Sequence, residues 1–501
     1  MRRSTRPPLW AAVTALVTVS FVLLASPAYA TISRTLAMQR AQRWVDLTIP
    51  YSQTLYRTAD GAAASASTGW RTDCSGFVSM CWNTSKPGYS TRTLNTIAQP
   101  ITKEALQPGD ALVAYDRHAV LFGGWANSGR TQYYAYEMSS GASENTGDGT
   151  VLRVTPYPYW SSYYPDQFKP YRLSGITENI DYSQAIIPVE GPDRYATAVA
   201  ASRSAFATGS AEAVIIASGA DWPDALGASA LAGVMEAPIL LSRPNELPPD
   251  VAREIVRLGA SEAIVVGGAA AVSTAVVEAV DALQDVSVRR VAGDNRYATS
   301  AALADEAVRL AAAPAAGTTV FVATGDDFPD ALAASPTAAA ATRPILLTDG
   351  TALSPETASA LAALEPSRAI LLGGANALSA EVQTAVGAAL GSGEVTRVAG
   401  RDRYETAVML AKMGVADCGL GYSGIAIATG ESFPDALGGG VMAARQGTVL
   451  VLTPSTRLHS HVADLLLANQ ATVGTPHVLG GESAVRSIVR EAIALALQPL
   501  D

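Results

Sequence analysis

From residue 187 onward the apolar positions fall into short unbroken runs. The first set is Ala213–Ser218, Pro238–Ser242, Ala263–Val266 and Val286–Val291, with a segment of helical apolar spacing ahead of each. Runs this short, with no polar alternation, predict strands buried on both faces of a parallel sheet. The amphipathic segments begin at Arg194, at Pro223, at Pro248-Pro249-Asp250 and after Ser273, and predict the helices that cover it. The expected unit is therefore an α/β layered, Rossmann-like domain.

The same pattern then returns. Gly191-Pro192-Asp193-Arg194-Tyr195-Ala196-Thr197 recurs as Gly293-Asp294-Asn295-Arg296-Tyr297-Ala298-Thr299 and as Gly400-Arg401-Asp402-Arg403-Tyr404-Glu405-Thr406. Trp222-Pro223-Asp224-Ala225-Leu226 recurs around Phe328 and Phe433, and Val266-Gly267-Gly268 recurs at Gly373-Gly374 and Gly480-Gly481. A period of about one hundred residues is that of whole domains in tandem, longer than the units of a solenoid. Upstream, from Thr31 to Tyr171, the chain is aromatic-rich and does not repeat. There a helix is predicted after Asp73 and strands at His118–Phe122 and Thr131–Met138, which makes this half α+β. Between the halves, Leu173 to Ala185 has no clear period and reads as a linker.

The first thirty residues read as an address. Arg2, Arg3 and Arg6 precede an apolar run from Trp10 to Ala25, and Ser26-Pro27-Ala28-Tyr29-Ala30 places small residues where a signal peptidase cuts. The run is short for a bilayer span of about 20 residues, so cleavage and export are expected. The organisation expected is a signal peptide at 1–30, a first domain at 31–172, a linker at 173–186, and repeats at 187–288, 289–394 and 395–501.

Composition narrows the partners. A formal net charge of -10 argues against nucleic acid or an anionic membrane surface as a general partner. With 49% hydrophobic and 16% charged residues, each domain can bury a core. Three cysteines remain, Cys74, Cys81 and Cys418. The first two fall on one predicted helix with Cα atoms about 10 Å apart, beyond the reach of a disulfide.

Candidate chemistry sits in Thr72-Asp73-Cys74-Ser75-Gly76-Phe77-Val78. Asp73 is a good N-cap, which puts Cys74 in the first turn of a helix. Unsatisfied N–H groups and the positive end of the dipole there favour a thiolate and can hold an oxyanion. His118 is the only histidine of the first half and heads a strand after Leu106-Gln107-Pro108-Gly109-Asp110; Glu137 is the lone carboxylate of the next strand. A helix-borne cysteine followed by a strand-borne histidine and an acceptor is the papain order.

The string DCSGFV, then LQPGD, then a histidine heading a strand resembles the NlpC-type cysteine peptidases, which act on peptidoglycan. That resemblance covers about Arg40 to Tyr171. It implies a papain-like fold with Cys74 as nucleophile, His118 as base and Glu137 as the orienting third residue, where the family more usually has His, Asn or Gln. It also implies a tyrosine assisting the oxyanion, for which Tyr51 is the nearest match. The three copies from about Ile187 to Leu500 resemble the cell wall binding repeat 2 family. This implies a pseudo-threefold arrangement and non-covalent attachment to anionic wall polymers. By position Arg194, Arg296 and Arg403 match the motif arginine, with either polymer binding or a structural role at the helix start.

Neither metal nor cofactor is implied. His459, His461 and His477 occur in one repeat only, and no G-x-G-x-x-G follows the Gly-Gly pairs. The acids of the aromatic-Pro-Asp motif (Asp221 with Asp224, Asp327 with Asp330) read as helix caps, because the third copy has Ser432 in place of the first acid. Trp82, Trp125, Trp160 and the Tyr157–Tyr164 cluster are candidates for a glycopeptide groove. The expected protein is a monomeric, secreted, wall-anchored cysteine endopeptidase or amidase of peptidoglycan, with no membrane contact after signal cleavage. Its rivals are a non-enzymatic surface scaffold or adhesin with an inactive papain-like domain, and an acyl transferase.

Overall fold

The computed structural model describes residues 32–140, 148–160, 165–177, 182–283, 285–311 and 318–497. The segment at 1–30 read as a signal peptide, Tyr163, Tyr164 and residues 178–181 of the stretch read as a linker lie outside them.

The first half opens with helix α1 (Arg34–Asp46), capped by Ser33, whose hydroxyl accepts from the Leu36 N–H. Strands β1 (Ser52–Arg57) and β2 (Trp70–Thr72) lead into α2 (Cys74–Cys81), which is buried throughout. A six-stranded antiparallel sheet follows, formed by β3 (Ala98–Pro100), β4 (Ala111–Ala114), β5 (His118–Trp125), β6 (Gln132–Ser140), β7 (Asp148–Pro156) and β8 (Phe168–Leu173). Its order is β3-β8-β4-β5-β6-β7. Phe77, Val78 and Cys81 of α2 share one core with Trp44 of α1 and Leu121 and Met138 of the sheet. The Pro-Gly-Asp turn is structural. Asp110 is fully buried and binds Arg34 at 3.0 Å and Arg172 at 2.8 Å, tying α1 and the last strand to the turn before β4.

The second half contains three four-stranded parallel sheets, as the unbroken apolar runs predict. The first orders Ile239–Ser242, Ala213–Ser218, Glu262–Val266 and Ser287–Val291; the second repeats this with Ile345–Thr348, Thr319–Thr324, Arg368–Leu372 and Glu394–Val398. The third uses Thr448–Thr453, Gly421–Thr429 and His477–Leu479, and takes its fourth strand, Ile187–Val189, from the start of the first repeat. The chain thus closes on itself, because the strand that leads into each motif helix belongs to the sheet of the preceding copy. Sheet boundaries and sequence-repeat boundaries therefore do not coincide. Within the linker stretch, Ile176–Thr177 pairs in parallel with Ile32–Ser33.

The two halves are docked. Thr35 Oγ1 donates to Glu491 Oε2 at 2.7 Å within the interface, and Gln39 donates to the Ala492 carbonyl at 2.9 Å. Arg43 pairs with Asp464 at 2.8 Å toward the rim.

Candidate functional site

Asp73 caps α2 as its sequence position predicts. Its Oδ1 accepts from the Gly76 N–H at 2.6 Å, and its Oδ2 accepts from Arg71 Nε at 2.8 Å. Cys74 is therefore the first residue of the helix, beside N–H groups that have no partner within it. The hydrogen-bonded pairing of β1 with β2 aligns Ser52 with Thr72, which brings the half-buried Tyr51 to the approach of the same helix start.

Strand register assembles the rest. Leu121 of β5 lies opposite Tyr136 of β6, so His118 and Glu137 project from the same face one diagonal apart. His118 Nε2 is 2.7 Å from Glu137 Oε2, which leaves Nδ1 for the Cys74 thiol, to which the imidazole is also hydrogen-bonded. Burial alone disfavours the imidazolium. The neighbouring Cys74 and Glu137 outweigh it and raise the His118 pKa to about 10. The ring packs beside the stacked pair of Tyr159 and Phe168, at 5.7 and 6.3 Å between centroids.

Two partners of Glu137 escaped the sequence reading. Arg153 Nε donates to Oε1 at 2.5 Å and Tyr159 donates from its hydroxyl to Oε2 at 2.6 Å; Arg153 also reaches the Tyr159 hydroxyl at 2.9 Å. Burial of Glu137 favours its neutral form, but His118, Arg153 and Tyr159 together pull its pKa below the ordinary value. The legible signal for Arg153 was its place between Val151 and Thr155 on the inward side of a strand. Trp82 corrects one expectation. It is fully buried and donates to the Gly109 carbonyl at 2.8 Å, so it lines no groove. Trp125 packs on Phe122 and Tyr157, while Trp160 is exposed, with Arg153 over its ring. All three cysteines are free, and burial pushes the Cys81 thiol well above its ordinary range.

In the repeats the three motifs meet at the junctions between copies. The Asp224 carboxylate bonds Thr299 of the second copy, Asp330 bonds Thr406 of the third, and Asp435 bonds Thr197 of the first. Gly267, Gly373 and Gly480 have φ of +89°, +90° and +86°, and a Cβ at any of them would fall within 2.3 Å of that same carboxylate. The first glycine of each Gly-Gly pair is thus required twice over, by its left-handed backbone and by the aspartate. Arg194, Arg296 and Arg403 donate to the carbonyls of Gly219, Gly325 and Gly430. They also stack over Phe433, Trp222 and Phe328 of the preceding copy, at 5.8, 5.5 and 6.0 Å. His459 and His461, for which the sequence showed no consistent carboxylate, lie 3.3 Å from Asp402 and 3.5 Å from Glu405.

A pH signature follows. Burial first, and Asp327 second, raise the Asp330 carboxyl to about 6. The folded state then holds this proton more tightly than the unfolded chain, so the contribution of Asp330 to stability falls as pH rises from about 4 to about 6. Asp330→Asn keeps the bond to Thr406 without the charge. It should stabilise the protein by about 1–3 kcal/mol at pH 7 and reduce the slope across that window. Thermal melts at pH 4.5 and pH 7 check both; a destabilised Asn variant at pH 7 would refute the argument.

A cyclic set of three parallel-sheet repeats, locked by the same three motifs at each junction, defines a tandem-repeat module with a separate α+β unit docked on its third copy. The chain belongs to the cell wall binding domain 2 (CWB2) family, whose model matches residues 189–277, 290–383 and 397–490. It is similar to the N-acetylmuramoyl-L-alanine amidase LytC of Bacillus subtilis, 30% identical over 54% of this chain and 50% of that protein. It is also similar to the amidase enhancer of the same organism, 33% identical over 31% of this chain and 21% of that one. The chain thus spans half or less of the curated relatives it matches. Among solved structures it is similar to Cwp8 from Clostridium difficile, with a TM-score of 0.54 and 26% identity over 62% of this chain and 52% of that one. Cwp6 from the same organism shares the fold, at a TM-score of 0.55 and 20% identity over 78% of this chain and 63% of that one.

Proposed function

We propose that the protein is a secreted, wall-anchored cysteine hydrolase that cleaves peptide or amide bonds of peptidoglycan. The hydrolase unit is the NlpC-type, papain-like domain at 31–172, exported by residues 1–30, and the repeats at 187–288, 289–394 and 395–501 hold it on an anionic wall polymer. The observation that carries the reading is the Cys74–His118–Glu137 line, with the cysteine at a helix start and the histidine anchored from behind.

In this reading the Cys74 thiolate adds to the scissile carbonyl carbon, and the resulting oxyanion is held by N–H groups at the start of α2 with Tyr51 nearby. The His118 imidazolium gives its proton to the leaving amine as the C–N bond breaks, leaving a thioester. Water then attacks, its proton passing to His118, and the acid and the thiolate are released. Glu137 keeps the imidazole aimed at the sulfur throughout. The relative named as an N-acetylmuramoyl-L-alanine amidase supports the substrate class. With each motif arginine committed to a carbonyl and a neighbouring ring, these residues are better suited to holding the copies together than to gripping polymer.

The test is mass spectrometry of muropeptides after digestion of purified walls by the wild type and by Cys74→Ala. Products from the wild type alone, with the variant still sedimenting with walls, are expected. Equal activity of the variant would overturn the hydrolase, and transfer products in place of water products would make it an acyl transferase.

A further inference from the structure

The third position of this site is a carboxylate where a neutral amide or imidazole would serve, and its surroundings explain how that is tolerated. Glu137 is fully buried and carries a full charge behind His118. A thiolate–imidazolium pair is neutral by itself, so a lone glutamate would leave the site with one uncompensated negative charge in a water-poor environment. Such a charge opposes formation of the thiolate. Arg153 is the compensating cation. Its guanidinium donates to the Glu137 oxygen that His118 does not use, and it holds the Tyr159 hydroxyl against the oxygen that His118 does use.

We propose that Arg153, assisted by Tyr159, is a positioning residue of the Cys74–His118 pair: it cancels the charge of Glu137, so that the carboxylate orients the imidazole without suppressing the thiolate. This deepens the hydrolase reading and rests on it. The arrangement is specific in its geometry. Arg153 lies opposite Ala135, two residues from the position paired with Glu137, so the planar guanidinium reaches the carboxylate diagonally across β6 and β7. Among the described residues, the other titratable groups facing the pair are these. Tyr133 of β6 is buried and kept neutral, its hydroxyl bonded to the Pro158 carbonyl. Arg71 and Asp73 at the start of α2 neutralise each other at 2.8 Å, Tyr51 stands beside the approach, and β8 contributes the apolar Phe168.

The test reads the thiol directly, in the full chain and without substrate. Iodoacetamide labelling of Cys74 is followed by peptide mass spectrometry between pH 4 and pH 10. One unit charge about 10 Å away at an effective dielectric of about 20 moves a titration by about one pH unit. Arg153→Met should therefore move the labelling midpoint up by about one unit, and Arg153→Lys should move it much less. Adding Glu137→Gln to Arg153→Met removes the stranded charge and should bring the midpoint back. If Arg153→Met does not fold, Glu137→Gln alone decides the matter, because excess cation must move the midpoint down. An unmoved midpoint in the folded single variants, or a double variant shifted as far as Arg153→Met, would overturn the proposal. Failure of the hydrolase reading looks different: wild-type Cys74 would then label no faster than Cys418 at any pH.

Discussion

Glu137→Ala should lower the stability of the N-terminal unit by about 3–5 kcal/mol and release the His118 ring together, whereas Glu137→Gln should keep most of the stability. Truncation strands three groups at once. Arg153 loses its carboxylate, Tyr159 loses its acceptor, and His118 loses the partner that fixes its ring. Each buried donor left without an acceptor costs about 1–3 kcal/mol, so losing both carboxylate oxygens at once reaches that range. Glutamine preserves an oxygen for His118 and a similar volume, so only the charge is lost. Urea denaturation followed by tryptophan fluorescence measures the difference, since Trp44 and Trp82 are buried in this unit. Equal stabilities of the Ala and Gln variants would show that the carboxylate is not the centre of the network.

Much of this was legible from local pattern, and the remainder needed register. The Asp73 cap and the apolar spacing behind it locate Cys74, because a helix start is written within a few residues. His118 and Glu137 could be singled out because each is the lone residue of its kind in its neighbourhood. Arg153 and Tyr159 could not, since their roles depend on which residue of β7 stands opposite which residue of β6, and on where the chain goes after β7. In the repeats, recurrence identified the motifs but not their purpose. Asp224, Gly267 and Thr299 are far apart in sequence and meet only across a junction between copies. As helix caps those acids fail: an aromatic residue holds each cap position, no side chain caps the helix, and Asp224, Asp330 and Asp435 lie in the first turn, where the dipole favours an acid. Each of these three also bonds the threonine of the next copy.

That cyclic logic predicts where the module is weakest. Val189→Asp should disrupt the third repeat although the residue precedes the first motif. Val189 is 3% exposed and lies opposite Leu479 in the parallel pair that completes the third sheet. A carboxylate there would lie among the apolar side chains of the core, and several kcal/mol is the order expected for burying one, or for expelling the strand instead. The damage should spread both ways. Gly480, which follows this strand pair, donates its N–H to the Val189 carbonyl at 3.0 Å and packs against Asp435, the residue that bonds Thr197 of the first copy. The helix bearing Glu491 and Ala492 belongs to the same repeat and holds α1 of the N-terminal unit, so the docking contact should loosen as well. Ile187→Asp supplies the control: it adds the same charge to the same strand, at a position 41% exposed, and should change stability by no more than about 0.5 kcal/mol. Co-sedimentation with isolated walls and a thermal melt of the full chain measure both variants. Loss of wall binding and of a cooperative melt in Val189→Asp alone would establish that the three copies act as one closed ring, whereas equal behaviour of the two variants would mean that the strand is dispensable and the copies fold independently.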